Sequence, residues 1–175
     1  MKMFKRFAAA LLVGVMALAM LTACVDSTSK IGKEFEDAAL AAINTARGTA
    51  GAEALRNDDD LRTKALGQLY YVKGDGTIAA KNADVVTVLA EDKEKNTATV
   101  LVVSVLTEKG KPGDEVLKVK EVTAEVLKQS GTLSGSNASQ NAAKFQKIGI
   151  ATKEVNGKTY AAAAYEMEVN AKTKK

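Results

Sequence analysis

Between residues 31 and 47 apolar side chains return every three or four positions. Ile31, Phe35, Ala39, Ala42, Ile43 and Ala46 draw one stripe along a helix, and Gly48 ends it. Residues 48–54 are small and glycine-containing, which predicts a loop. A second helix is predicted from Asn57-Asp58-Asp59-Asp60, whose side chains can cap free amides and whose charge suits the positive end of the helix dipole. Its buried stripe is Leu61, Ala65, Leu66 and Leu69, and Gly74-Asp75-Gly76 reads as a turn. Two β-branched runs follow, Asp84 to Ala90 and Thr97 to Thr107, joined by the polar Glu91–Asn96. They predict an antiparallel pair, and the second run is apolar on both faces, as in a strand covered on both sides. After the break at Lys111-Pro112-Gly113, the spacing of Val116, Val119, Thr123, Val126 and Leu127 predicts a third helix over Asp114 to Gln129, stopped by Gly131. Residues 131–142 are the longest irregular stretch. Phe145 to Val155 and Lys158 to Val169 then read as strands around Asn156-Gly157, a pair that tolerates the positive φ of a two-residue hairpin turn.

The predicted order is α-α-β-β-α-β-β. Helices grouped around a mainly antiparallel sheet make an α+β domain. It occupies residues 31–170, with no internal repeat and a basic tail over 171–175.

Ahead of this domain stands a different pattern. Lys2, Lys5 and Arg6 precede an apolar run from Phe7 to Met20, and Leu21-Thr22-Ala23-Cys24 follows. The run has 14 residues, short of the roughly 20 that cross a bilayer as a helix. The arrangement resembles a bacterial lipoprotein signal peptide with its lipobox. The resemblance implies cleavage between Ala23 and Cys24, acylation of Cys24, and anchorage in the cell membrane on its extracytoplasmic face. Residues 1–23 are then the signal, and 24–30 a lipidated tether. Each buried CH₂ of an acyl chain contributes about 0.8 kcal/mol, so two or three chains hold firmly where one alone is marginal.

Composition changes once that segment is set aside. Of the 25 Lys and Arg, three precede Cys24, leaving 22 against 21 Asp and Glu. The basic balance belongs largely to the export segment and gives no reason to expect a nucleic-acid partner. Cys24 is the only cysteine, so no disulfide can form within the chain. The mature part has no Trp and only Met167, Phe35 and Phe145 besides four Tyr among its larger residues. Ala, Val, Leu and Ile must build its core.

Two separated segments carry a second resemblance. Ile43-Asn44-Thr45-Ala46-Arg47 matches a hydrophobic-Asn-x-x-Arg pattern, and Leu55, Asp58, Leu61 and Ala65 follow in matching order. Further on, Phe145-Gln146-Lys147-Ile148-Gly149-Ile150-Ala151 leads through Asn156-Gly157 to Tyr160. Together they resemble the CAP superfamily (cysteine-rich secretory, antigen 5 and pathogenesis-related 1 proteins), also called SCP-like. The resemblance covers about a third of the chain and implies a three-layer α-β-α sandwich. It brings no pocket with it. The family's pocket uses two His and two acidic residues, and this chain has no His; Ser134-Gly135-Ser136-Asn137-Ala138-Ser139 stands where the family has Ser-x-x-His.

The lack of His removes the commonest general base and transition-metal ligand, and excludes a Ser-His-Asp triad. Ser104, Ser130, Ser134 and Lys128 are the residue types of a Ser-Lys dyad, but no spacing singles them out. Asp58-Asp59-Asp60 offers oxygens to Ca²⁺ without an EF-hand pattern, and helix capping accounts for it better. Asp75 reads as a turn residue, and Gly74-x-Gly76 lacks the rest of a phosphate loop. Glu166 and Glu168 share one face of the last strand, as on a wet sheet surface. Tyr70, Tyr71 and Tyr160 suit a ligand groove, or rings packed with their hydroxyls exposed. No catalytic, cofactor or metal site is expected. The reading is a membrane-anchored binding or envelope-interaction module whose ligand is envelope polymer, lipid or protein. The alternatives are a carboxylate-dependent hydrolase of envelope material and a structural or adhesive surface protein of unrelated α+β fold.

Overall fold

The computed structural model describes residues 29–130 and 142–170. Helix α1 (Lys30–Thr49) starts on Ser29, whose hydroxyl accepts the Gly32 amide at 3.2 Å, and it buries Phe35, Ala39 and Ile43 from the predicted stripe. The tether expected over 24–30 thus ends earlier, since Ser29 is already the cap and Lys30 the first helical residue. Helix α2 (Asp59–Leu69) starts on Asp58, which accepts the Leu61 amide at 3.0 Å, with Asp59 and Asp60 in its first turn. The chain continues through β1 (Thr77–Ala79), a one-turn α3 (Ala80–Ala83), β2 (Asp84–Asp92), β3 (Thr97–Val105), β4 (Val116–Lys118) and α4 (Ala124–Ser130). A 3₁₀ turn (Ala142–Lys144), β5 (Phe145–Val155) and β6 (Lys158–Asn170) complete it.

This is an α+β fold with antiparallel sheets. Four strands lie in the order β2-β3-β6-β5, and β1 and β4 form a separate pair. The hairpin β5–β6 turns at Asn156 and Gly157, whose φ values are 51° and 75°, as the Asn-Gly pair predicts. β3 lies inside the sheet and buries residues on both faces, including Val100, Leu101, Val103 and Val105.

The order differs from the predicted one at the third helix. Residues 116–118 are extended and pair with β1, with Leu117 opposite Ile78, and helix forms only from Ala124. Val119 donates its amide to Gly76, Lys120 to Leu106 and Val122 to Thr159. Three partner segments thus draw the backbone straight, and the β-branched Val116, Val119 and Val122 favour that conformation. Thr123 then caps the shorter helix, its hydroxyl accepting the Val126 amide at 3.3 Å. The small sheet and α3 carry too few residues for a periodic signal.

The core lies on both faces of the main sheet. Leu61, Ala65, Leu66 and Leu69 of α2 gather with Leu101, Val103, Val105, Tyr160, Ala162 and Ala164. Phe35, Ala39 and Ile43 of α1 gather with Phe145, Ile148, Ile150 and Ala161. Side chains alternate along a strand, so the alternation from Ala161 to Ala164 puts the two helices on opposite faces. One close approach depends on glycine. A Cβ on Gly149 would fall onto the backbone nitrogen of Arg62, so only glycine lets the first turn of α2 lie on β5.

Candidate functional site

Ala23 and Cys24, the residues expected at the cleavage and lipidation site, lie outside the described residues. So do Ser134 through Ser139 and the tail 171–175. Among the described residues no helix is long and apolar enough to cross a membrane.

The residues that carry the CAP resemblance are structural where they can be seen. Asn44 makes two hydrogen bonds with the backbone of Leu55, donating to its carbonyl and accepting from its amide, each at 2.8 Å. Arg47 is 6% exposed and donates to the carbonyls of Glu53 at 2.7 Å, Ala142 at 2.6 Å and Phe145 at 2.7 Å. A buried cation without hydrogen bonds is costly, and these carbonyls take the place of water. Asn44 and Arg47 therefore tie α1 to the loop before α2 and to the start of β5.

The remaining candidates do not converge. Asp58 is the α2 cap, and Asp75 accepts from the hydroxyl and amide of Thr77 at 2.7 and 3.0 Å. Those two bonds hold its carboxyl below the ordinary value. Tyr160 is buried in the core, whereas Tyr70 and Tyr71 are exposed past the end of α2, so the three share no groove. Glu166 pairs with Lys147 at 4.0 Å and Glu168 is exposed. A shallow depression of about 380 Å³ is lined by Leu55, Arg56, Asn57, Asp58, Asp59, Gln146 and Lys147. Its only carboxylates are neighbours in sequence, and one of them caps a helix, which leaves no facing pair for glycosidic chemistry. Among the described residues no cluster of three or more acidic side chains is placed to hold a metal ion.

The two edges of the main sheet are the distinctive surfaces. Along β5 the outward backbone is occupied. The Ile148 carbonyl accepts from the Asp58 amide at 2.8 Å. Asn57 donates to the Ile150 carbonyl at 3.0 Å and accepts from its amide at 2.7 Å, a side-chain imitation of a neighbouring strand. Thr152 is buried and sends its amide and its hydroxyl to Glu36 Oε1, each at 2.9 Å. Glu36, itself 3% exposed, comes from α1 and also accepts from Arg62 Nε of α2 at 3.1 Å. This pair joins the helices of opposite faces around the β5 edge.

Along β2 none of this is present among the described residues. Among the described residues no strand lies on its outer side. Val86, Val88 and Leu89 are 55%, 51% and 48% exposed. The register aligns Val86 with Val102 and Tyr165, and Val88 with Val100 and Met167, so an apolar shelf runs inward from the edge on the α1 face. Asp84, hydrogen-bonded by the Ser104 hydroxyl, closes one end of the shelf. Burial pushes the Tyr165 phenol above its ordinary value, and the Asp84 charge adds to the effect. An edge of this kind offers unpaired amides and carbonyls to an added strand, and its valines cover that strand's side chains. Nothing in the sequence marks it, because which strand ends the sheet is decided by long-range pairing. Compared with models of known families, with curated proteins and with solved structures, the chain finds no match in any of the three.

Proposed function

We propose that the chain is a bacterial lipoprotein, cleaved after Ala23, acylated on Cys24 and held at the extracytoplasmic face of the cell membrane, where its domain works as a non-catalytic binding module. The order of residues 1–24 supports the anchor. The open β2 edge carries the binding reading. The partner that fits it is an extended protein segment of the envelope that adds to β2 as a strand. The strand has Asp84, Glu91 and Asp92 and no basic residue, so the complementary segment is apolar in its middle and basic at its ends. A second copy fits poorly, because antiparallel self-pairing about Val88 sets Asp84 opposite Asp92.

The CAP-like, three-layer form of the fold belongs to the same proposal. The placement of α1 and α2 on opposite faces supports it, as do Asn44 and Arg47 on the inner side of α1. Relatives of this chain with histidine between residues 131 and 142 would join it to the superfamily; relatives that all lack it there would separate the two.

Two experiments test the function. Cys24→Ser is expected to move the protein from the membrane to the soluble fraction, and continued membrane binding would refute the anchor. Peptides selected from a random display library against the protein are expected to be extended, with basic ends, and to lose binding to a Val86→Lys, Val88→Lys variant. Selected peptides that bind this variant unchanged would refute the β2 reading.

A further inference from the structure

One end of the sheet gathers the first described residue and the exposed aromatic side chains. Ser29 Oγ lies 2.8 Å from Thr159 Oγ1, next to the Asn156-Gly157 turn. Asn156 donates to the Gly74 carbonyl at 3.0 Å, which places the turn after α2 at the same end. Helix α2 begins against Ile148 and Gly149 and runs beside β5, so its C-terminus arrives there too. Tyr70 and Tyr71 follow that C-terminus, 41% and 47% exposed, with Lys153 Nζ 3.4 Å above the Tyr70 ring. The opposite end carries the Asp92–Thr97 turn and Asn170, because Thr97 pairs with Asn170. At about 3.3 Å per residue, the stretch from Thr159 to Asn170 separates the ends by about 35 Å.

We propose that the hairpin end is a lipid-facing surface, laid on the bilayer with Tyr70 and Tyr71 at headgroup level and the Asp92–Thr97 turn pointing away. The proposal rests on the anchor at Cys24. From Cys24 to Ser29 the chain reaches at most about 17 Å, roughly half the length of the sheet, so the hairpin end is held close to the membrane. Tyrosine has an apolar ring and a polar tip and suits the membrane–water interface. The local charges balance. Lys30, Lys73, Lys153 and Lys158 stand with Glu34, Asp75, Glu121 and Glu154; Lys30 pairs with Glu34 at 3.9 Å and Lys158 with Glu121 at 3.4 Å. The contact is therefore carried by the rings, holds on uncharged lipid and responds little to salt.

The chain has no Trp, so one substitution gives a single reporter. The acylated protein is extracted from membranes and returned to phosphatidylcholine vesicles, with and without bromine on the acyl chains. Tyr71→Trp is expected to lose most of its fluorescence to brominated lipid, as is Tyr70→Trp, while Asn96→Trp keeps its own. Equal quenching at both ends, or stronger quenching of Asn96→Trp, would overturn the orientation with the anchor intact. Protein that does not float with the vesicles would overturn the anchor and the orientation with it. Quenching that needs anionic lipid would overturn the assignment to the tyrosines.

Discussion

Strands β5 and β2 end the same sheet on opposite sides and carry the same kinds of backbone group. Along β5, Asp58, Asn57 and Glu36 answer those groups one after another, and the first turn of α2 lies against Gly149. Along β2 the outer side has no strand among the described residues, and Val86 and Val88 are about half exposed. An unprotected edge invites pairing with other chains, and proteins commonly blunt it. Here one edge is blunted with care and the other is left available. The difference separates a side devoted to joining two helices from the side to which the proposed function assigns a partner.

The largest expected effect strikes the closed side. Gly149→Ala forces the backbones of β5 and α2 apart and is expected to cost about 4 kcal/mol, measured by urea unfolding. Arg62→Ala comes next. It leaves the Glu36 carboxylate buried with Thr152 alone and is expected to cost about 3 kcal/mol, with Glu36→Gln in the same background recovering part of the loss. Asn57→Ala uncovers the Ile150 amide and carbonyl. About 1–2 kcal/mol is expected, with faster hydrogen exchange at Ile150 than at Ala164 inside the sheet. Val86→Lys with Val88→Lys should change stability by no more than about 0.5 kcal/mol. A loss as large as that of Asn57→Ala would show that the β2 edge is packed after all and would break the comparison.

The smallest effect belongs to Tyr165, beside the open edge. Its folded phenol titrates above the ordinary value of 10.0, so between those two values the folded state binds more protons than the unfolded state. Stability is then fully present below pH 10 and falls as pH rises from there. Tyr165→Phe should flatten this alkaline decline in melting temperature above the ordinary value of 10.0. An unchanged decline would remove Tyr165 as its source.

Local signals found most of this architecture. Asn156-Gly157 announced its hairpin, the stripes on α1 and α2 announced their buried faces, and the apolar β3 announced a covered strand. What stayed hidden depends on distant partners. Residues 116–122 have spacings that suit a helix until Ile78, Gly76, Leu106 and Thr159 are there to pair with them. Asn57 reads as part of an acidic helix start, yet its amide closes an edge 93 residues away. The valines of β2 look like any buried strand, and only the order of the finished sheet exposes them. Arg47 was visible as a motif residue, but its three carbonyl partners were not.

The position of β6 has a consequence for the order in which the molecule can be made. The last described strand in sequence lies between β3 and β5, not at a border. Val105 must wait for Ala162 and Thr97 for Asn170, so the closing contacts span more than fifty residues. A chain emerging from its amino end has β2 and β3 as a hairpin, and α2 packs on both β3 and β5, but no strand pairing joins the hairpin to β5 until β6 arrives. Such loop closures come late and slow assembly. The four-stranded sheet is therefore completed only when the last described strand has been made, and until then its two halves meet through helix packing alone.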